Sequence, residues 1–430
     1  MRIVVLHSGG LGDLVLAEAL LSGLREQHPK AQLELLCRAD VAEVPALYAR
    51  PPDVVRAFPF NPYTWATPDE AVEPSAAFLA ELPLEPVDLF ISAELRRTWL
   101  SEILAARFAA SESIFGDASL LDRSTVRIVV RRLGMRLRPH VQRLPSIPGE
   151  HELDRYARLG RGERRLPQLR RLRRRMPQKT RPLAVFPIGI PFLKRWPLDR
   201  FLAASTAIRA ENGHPLLLVG SDSERLELEA LASWAPADAF GVCAPGDGGL
   251  IRVADAIANA WGYLGIDTGL AHLAAAYDVP GVTVYGGGTW PAYAPWAPRS
   301  AGVVAPIPCF GCFWDCAFGH AYCIEAVRVD DVISAFAEAH ASVTPAIVAE
   351  NEAYGTPERT VFGEAAYSYR AAQADRAARL QAIIRLRDIL ERHAHRSRTK
   401  PSQTNPSLEH VTNRLTIVAN RLKEQVSTRT

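Results

Sequence analysis

What most constrains this chain is its alternation of short apolar runs with stretches of helical periodicity. Residues 2–7 are apolar enough for a strand buried on both faces, and Gly9-Gly10-Leu11-Gly12 can only turn. From Asp13 onward apolar residues fall at Leu14, Leu16, Ala17, Leu20, Leu21 and Leu24, one face of a helix. Residues 33–37 and 87–92 are strand-like. A helical stretch over 97–109 leads to the short run 113–115, closed by Gly116. The pattern resumes at 183–186, 215–219, 263–266 and 282–285. Strands separated by helices pair in parallel, because a parallel crossover needs a long connection. The expectation is an α/β protein with two Rossmann-like, doubly wound domains facing a central cleft, plus a C-terminal helical extension. Ligands of such halves bind at the carboxyl ends of the strands.

The length of 430 residues suits two to three domains. The divisions expected are 1–154, a basic linker or helix over 155–181, 182–340, and an extension over 341–430. Within the extension, 364–394 has helical composition and 395–406 is polar enough to be disordered. Leu408, Val411, Leu415, Val418 and Leu422 then repeat at heptad spacing, which suits packing on the same domain or a homo-oligomer contact. Hydrophobic residues at 48% and a net charge of +3 describe an ordinary globular chain, and no apolar run reaches the ~20 residues of a membrane span. The first residues lack the apolar core of a signal peptide, and six cysteines are too few for a disulfide scaffold, so a cytoplasmic protein is expected.

From Arg155 to Arg181 twelve basic residues face one acid, Glu163. A solvated helix or linker is the plainer reading. The sharper one is a surface for anionic partners, lipid headgroups at a membrane face or a phosphorylated glycan. Nucleic acid is not expected, because no aromatic residues interleave for stacking.

Three segments can carry chemistry. In Ser8-Gly9-Gly10-Leu11-Gly12-Asp13 the glycines permit close backbone approach, and Asp13 either caps the helix or acts as a general base. The spacing does not fit a dinucleotide fingerprint. Between Gly189 and Leu198, Lys194 is either exposed or reaches a phosphate, Pro197 suits a first helical turn, and Trp196 packs beneath it. In Gly265-Ile266-Asp267-Thr268-Gly269-Leu270-Ala271-His272, a strand closes and a helix opens, so amides and the helix dipole face whatever lies above. His272 either donates to an oxyanion there or is a satisfied buried histidine.

Together, Gly-x-x-Gly-Asp at Gly9 to Asp13, Lys-Arg-Trp-Pro at Lys194 to Pro197, and Asp-Thr-Gly-x-x-His at Asp267 to His272 resemble the ADP-heptose:lipopolysaccharide heptosyltransferases of glycosyltransferase family 9, over roughly residues 1–335. The resemblance implies the GT-B fold and inverting transfer from an ADP-sugar to a glycan or lipopolysaccharide-core hydroxyl, with no catalytic metal. It implies Asp13 as base, and Lys194, Thr268, Gly269 and His272 as donors to the departing diphosphate. Asp267 would orient that loop, Gly189 would lie on the donor side, Gly9, Gly10 and Gly12 on the acceptor side, and Asp222 or Glu224 would hold the ribose. Two departures stand out within this span. His7 replaces a usual cation, which makes pairing there pH-sensitive, and Gly286-Gly287-Gly288-Thr289 replaces a Gly-Pro-Thr-Asp-type turn.

Cys309, Cys312, Cys316 and Cys323 fit a structural zinc or iron site with four thiolates, or else four reduced thiols packed among aromatics. Cys37 and Cys243 read as core. Two alternatives to the leading reading stay open: a GT-B enzyme using another nucleotide sugar on a protein or small molecule, and a catalytically silent nucleotide-sugar-binding or assembly module.

Overall fold

A computed structural model describes residues 1–83, 85–116, 123–136, 141–145, 147, 150–170, 172, 181–189, 191–233, 240–286, 290, 292–304, 321–341, 346–351 and 355–361. The first half holds strands β1 (Arg2–His7), β2 (Gln32–Arg38), β3 (Val54–Phe58), β4 (Leu89–Ser92), β5 (Glu112–Gly116) and β6 (Gln142–Leu144). Its helices are α1 (Leu11–Gln27), α2 (Pro68–Glu81), α3 (Trp99–Phe108), α4 (Arg123–Arg132) and α5 (Glu152–Leu159). The strands form one parallel sheet in the order β3-β2-β1-β4-β5-β6.

The second half repeats the plan with β7 (Leu183–Phe186), β8 (Leu216–Val219), β9 (Phe240–Cys243), β10 (Gly262–Ile266), β11 (Gly281–Tyr285) and β12 (Ser300–Val304). Strands β13 (Ala346–Asn351) and β14 (Gly355–Val361) extend it, giving the order β14-β13-β12-β11-β10-β7-β8-β9. Its helices are α6 (Leu198–Asn212), α7 (Arg225–Ala232), α8 (Gly249–Ala258), α9 (Gly269–Ala276), α10 (Tyr322–Glu325) and α11 (Val329–Ala341). In each sheet the strand order reverses beside the first strand, between β1 and β4 and between β7 and β10. A crevice opens there because the neighbouring crossovers run to opposite faces.

Helix α1 is buried on most of its surface, from Leu14 through Leu21 and again at Gly23 and Leu24. It lies between its own sheet and α9, so one hydrophobic core runs from Ile3, Leu14 and Leu35 to Tyr263, Ala271 and Leu273 of the other half. A second core packs α6 and α11 on the other sheet around Trp196, which is fully buried and donates from Nε1 to the Val327 carbonyl at 3.1 Å.

Two sequence expectations are corrected. The described part of the basic segment is no solvated helix. Helix α5 ends at Leu159, and Arg161 adopts φ +52°. The chain then runs along the first half, with the Gln168 amide donating to buried Glu18 at 2.6 Å. Its cations meet acids scattered through that half: Arg155 meets Glu152, Arg158 Glu150, Arg161 Glu112, Arg164 Asp154 and Arg165 Glu26. Arg155 and Glu152 are both buried, where either alone would carry a large desolvation cost. The charge of these five arginines is thus met by acids within the first half. The second correction concerns residues 346–361, placed in a helical extension. They form two strands, because Ala346, Ile347, Val348 and Ala349 continue the parallel sheet beside β12. Residues 364–430 lie outside the described residues. Among the described residues no helix is long and apolar enough to cross a membrane.

Candidate active site

The carboxyl ends of both sheets face a cleft of about 840 Å³. From the first half, Gly10, Gly12 and Asp13 line it, together with Asp40, Val41 and Glu43. From the second come Gly189 and Lys194, Asp222 and Glu224, and Asp267, Thr268, Gly269 and His272. Every predicted site residue of the three segments is therefore on this cleft except Gly9, which lies directly behind Asp13. Of the four clustered cysteines, Cys323 is buried within α10, and Cys309, Cys312 and Cys316 lie outside the described residues. Among the described residues no group of three or more His, Cys, Asp or Glu side chains is arranged to hold a metal.

Asp13 is a helix cap that also lines the cleft. It sits in the first turn of α1 and its Oδ2 accepts the Gly10 amide proton at 2.8 Å, so it caps the helix while lining the cleft. Burial pushes its carboxyl above the ordinary carboxylate range, opposed by the Gly10 hydrogen bond and by His272 and Lys194. Close packing brings α9 to it. A Cβ on Gly12 would lie 2.6 Å from His272 Cδ2, and one on Gly269 would lie 2.9 Å from the Gly12 amide nitrogen. Two glycines thus let the first turns of α1 and α9 touch across the halves.

On the other wall Lys194 Nζ donates to Asp267 Oδ2 at 3.0 Å and to the Asp267 carbonyl at 3.3 Å. Asp267 therefore holds the lysine at the start of α9 as well as closing β10. A Cβ on Gly189 would stand 2.8 Å from Thr268 Cγ2, so the glycine lets the loop after β7 lie on the α9 turn. Thr268 Oγ1 and His272 Nδ1 are buried with no hydrogen-bond partner among the described residues. Orphaned polar atoms are costly unless a ligand satisfies them. Burial lowers the His272 pKa, which leaves a neutral imidazole, so Lys194 and the α9 dipole supply the positive potential.

Asp222 and Glu224 both already serve the loops around them. Asp222 accepts the Gly246 amide at 3.0 Å and an Arg225 guanidinium proton at 2.8 Å, which holds its carboxyl below the usual range. Glu224 accepts the Ser221 amide at 2.8 Å. His7 is corrected: its ring is buried, and desolvation with nearby Arg155 lowers its pKa to about 3, so it stays neutral at ordinary pH. Sequence reasoning missed Glu43, whose Oε2 accepts the Leu250 amide at 2.8 Å from the opposite half. Gly249, at φ +57°, makes room, since a Cβ there would lie 2.7 Å from that oxygen. It also missed Tyr293, which reaches the cleft from the loop after β11 and lies close enough to Glu152 and Asp13 to feel their charge. No local motif marks either residue.

Residues 139–321 match the model of glycosyltransferase family 9 (heptosyltransferase). No curated protein matches the chain. Among solved structures, a family 9 glycosyl transferase from Veillonella parvula DSM 2008 aligns at 16% identity with TM-score 0.62, covering 79% of this chain and 96% of that one. The ADP-heptose lps heptosyltransferase II of E. coli aligns at 15% and 0.57, covering 79% and 98%. E. coli heptosyltransferase WaaC, solved with ADP, aligns at 19% and 0.54, covering 79% and 100%. These likenesses establish the GT-B arrangement of two facing parallel-sheet halves.

Proposed function

We propose that this chain, whose residues 139–321 match the model of glycosyltransferase family 9, moves heptose or a related sugar from an ADP-sugar to a hydroxyl of a glycan or lipopolysaccharide-core acceptor. One observation carries this reading. Asp13, on the first half, shares a cleft with the Lys194–Asp267 pair and the unpartnered Thr268 Oγ1 and His272 Nδ1 at the α9 start. One wall offers a proton acceptor and the other offers donors for an anion, which is what a displacement with an anionic leaving group needs.

In the proposed reaction the acceptor oxygen attacks the anomeric carbon as its proton passes to Asp13. The bond from that carbon to the diphosphate oxygen breaks, and the electron pair leaves with the nucleoside diphosphate. Charge grows on the departing oxygen in the transition state, so fixed donors there lower the barrier most at that moment. Lys194, the α9 amides, Thr268 and neutral His272 are those donors. The raised pKa of Asp13 suits a general base, since a stronger base accepts the proton more readily.

Calorimetry with ADP, UDP and GDP tests the donor, and selective ADP binding is the expected result. Asp13→Ala should abolish transfer and spare ADP binding. Transfer that survives in Asp13→Ala refutes the base assignment, and preference for UDP or GDP refutes the ADP-sugar.

A further inference from the structure

His7, the last residue of β1, has no part in the scheme above, yet its surroundings are specific. The ring is 3% exposed. The Gly9 amide donates to Nδ1 at 3.0 Å, so Nδ1 must carry the lone pair and Nε2 the proton. Nε2 then donates to the Tyr156 hydroxyl at 2.7 Å, and the two rings meet edge to face. Tyr156 is itself 1% exposed on α5, so a partner on another element holds the ring in place.

The atom His7 restrains bears directly on Asp13. A Cβ on Gly9 would lie 2.5 Å from Asp13 Cβ and Cγ and 2.6 Å from Oδ2, so the Gly9 backbone is the surface on which the Asp13 side chain rests. The next amide, Gly10 N–H, donates to Oδ2. The orientation of these two peptides decides where the carboxylate points. His7 Nδ1 anchors the first of them.

We infer that His7 is a positioning residue: through the Gly9 amide it sets the direction of the Asp13 carboxylate, with Tyr156 holding the imidazole in place from α5. The inference rests on the reading of Asp13 as base. The charged or titratable groups facing Asp13 are His272, Lys194, Asp267, Glu152, Tyr63, Tyr156 and Tyr293, and those beside His7 are Arg155 and Tyr156. None of them replaces the acceptor that Gly9 uses.

Two isosteres separate this role from simple core packing. His7→Asn puts an oxygen where Nδ1 stands and keeps the acceptor for Gly9. His7→Gln puts an amide where Nε2 stands, keeps a partner for Tyr156 and loses that acceptor. In the full chain His7→Gln should lower kcat by about 10- to 100-fold with KM nearly unchanged, as expected for a misdirected group. His7→Asn should stay within about threefold of the native value, because it keeps the acceptor for Gly9. A readout free of any substrate is the carboxyl-carbon NMR titration of Asp13. Its midpoint should rise in His7→Gln, where the Gly10 hydrogen bond loosens, and hold in His7→Asn. Equal losses in both variants, or a folded His7→Gln with an unmoved Asp13 titration, would overturn the proposal. Should His7→Gln fail to fold, Tyr156→Phe removes the hydroxyl that holds the ring on its far side and so loosens the Gly9 anchor. A smaller rise in the Asp13 midpoint then supports the proposal and none overturns it. If Asp13→Ala keeps full transfer while the NMR shifts appear, the base assignment fails and the positioning stands.

Discussion

Gly12→Ala places a methyl group where the two halves touch. The new carbon would stand 2.6 Å from His272 Cδ2 and 3.2 Å from Gly269 Cα. Carbon atoms rest at about 3.5–4.0 Å, so the first contact is short by about 1 Å and the second by about 0.5 Å. His272 is 5% exposed and Gly269 meets the site with backbone, so neither relaxes cheaply, and α1 must move off α9. Such overpacking costs about 1–3 kcal/mol, offset by up to about 1 kcal/mol from replacing glycine inside a helix. A fall in Tm of a few degrees is expected. The effect on chemistry should be larger, because a shift near 1 Å between Asp13 and the α9 start costs about 100-fold in turnover. ADP affinity should barely change, since the nucleotide donors sit on the second half. Gly10→Ala is the control, with Asp13 Oδ2 at 3.8 Å its nearest neighbour, an ordinary contact. Calorimetric melts, ADP titration and turnover of both variants decide the matter. Native turnover in Gly12→Ala, or equal damage in Gly10→Ala, would refute the claim that these glycines set the spacing of base and donors.

Further expectations follow from the same geometry. Lys194→Met removes an ammonium 3.0 Å from a carboxylate whose side chain is 6% exposed, so stability should fall by about 3 kcal/mol and ADP should bind more weakly, readable by melting and calorimetry. Burial raises the Asp13 pKa, so folding favours the protonated acid; that contribution is present below the ordinary value of 3.8 and is lost as pH rises through the raised one. Asp13→Asn should therefore melt above the native protein at pH 7, with the gap closing toward pH 4, while native turnover rises with pH over the same window. His151 caps α5 through Nδ1 at 3.1 Å from the Leu153 amide and reaches the Ala294 carbonyl at 2.8 Å, so His151→Ala should cost about 1 kcal/mol or more in denaturant unfolding. Metal analysis of the full chain should return about one zinc or iron per chain if Cys309, Cys312, Cys316 and Cys323 bind it, and Cys323→Ser should remove it.

The sequence announces those elements whose strands are buried on both sides. Strands β1, β7, β10 and β11 are buried throughout and mostly apolar, and the loops after the first three hold the glycines and polar residues of the cleft. Strand β3 escapes notice because Val54 to Phe58 sits at an edge, with residues alternately half-buried and exposed. Strand β12 escapes because Ser300, Ala301 and Gly302 carry little apolar side chain. The basic segment misleads for a different reason: local charge density says nothing of Glu26, Glu112 or Glu150, which folding brings from elsewhere. His7 misleads likewise, since its neutral state depends on burial and on Arg155. Membership of the cleft was legible for Asp13, Lys194 and the segment from Asp267 to His272, because each follows a strand that ends at a reversal of strand order. The cross-cleft contact of Glu43 was not, because it joins residues 207 positions apart.

That contact makes the cleft a hinge with a clasp. At the back, α1 and α9 are welded by buried packing that only unfolding would release. At the exposed edge one Glu43 carboxylate covers the first turn of α8, a surface bond of about 1 kcal/mol or less that parting the halves there would undo. Such a bond weakens as ionic strength rises. A contact that salt can tune thus borders the mouth of the cleft that holds Asp13, while the alignment of its two walls is kept by the axle behind them.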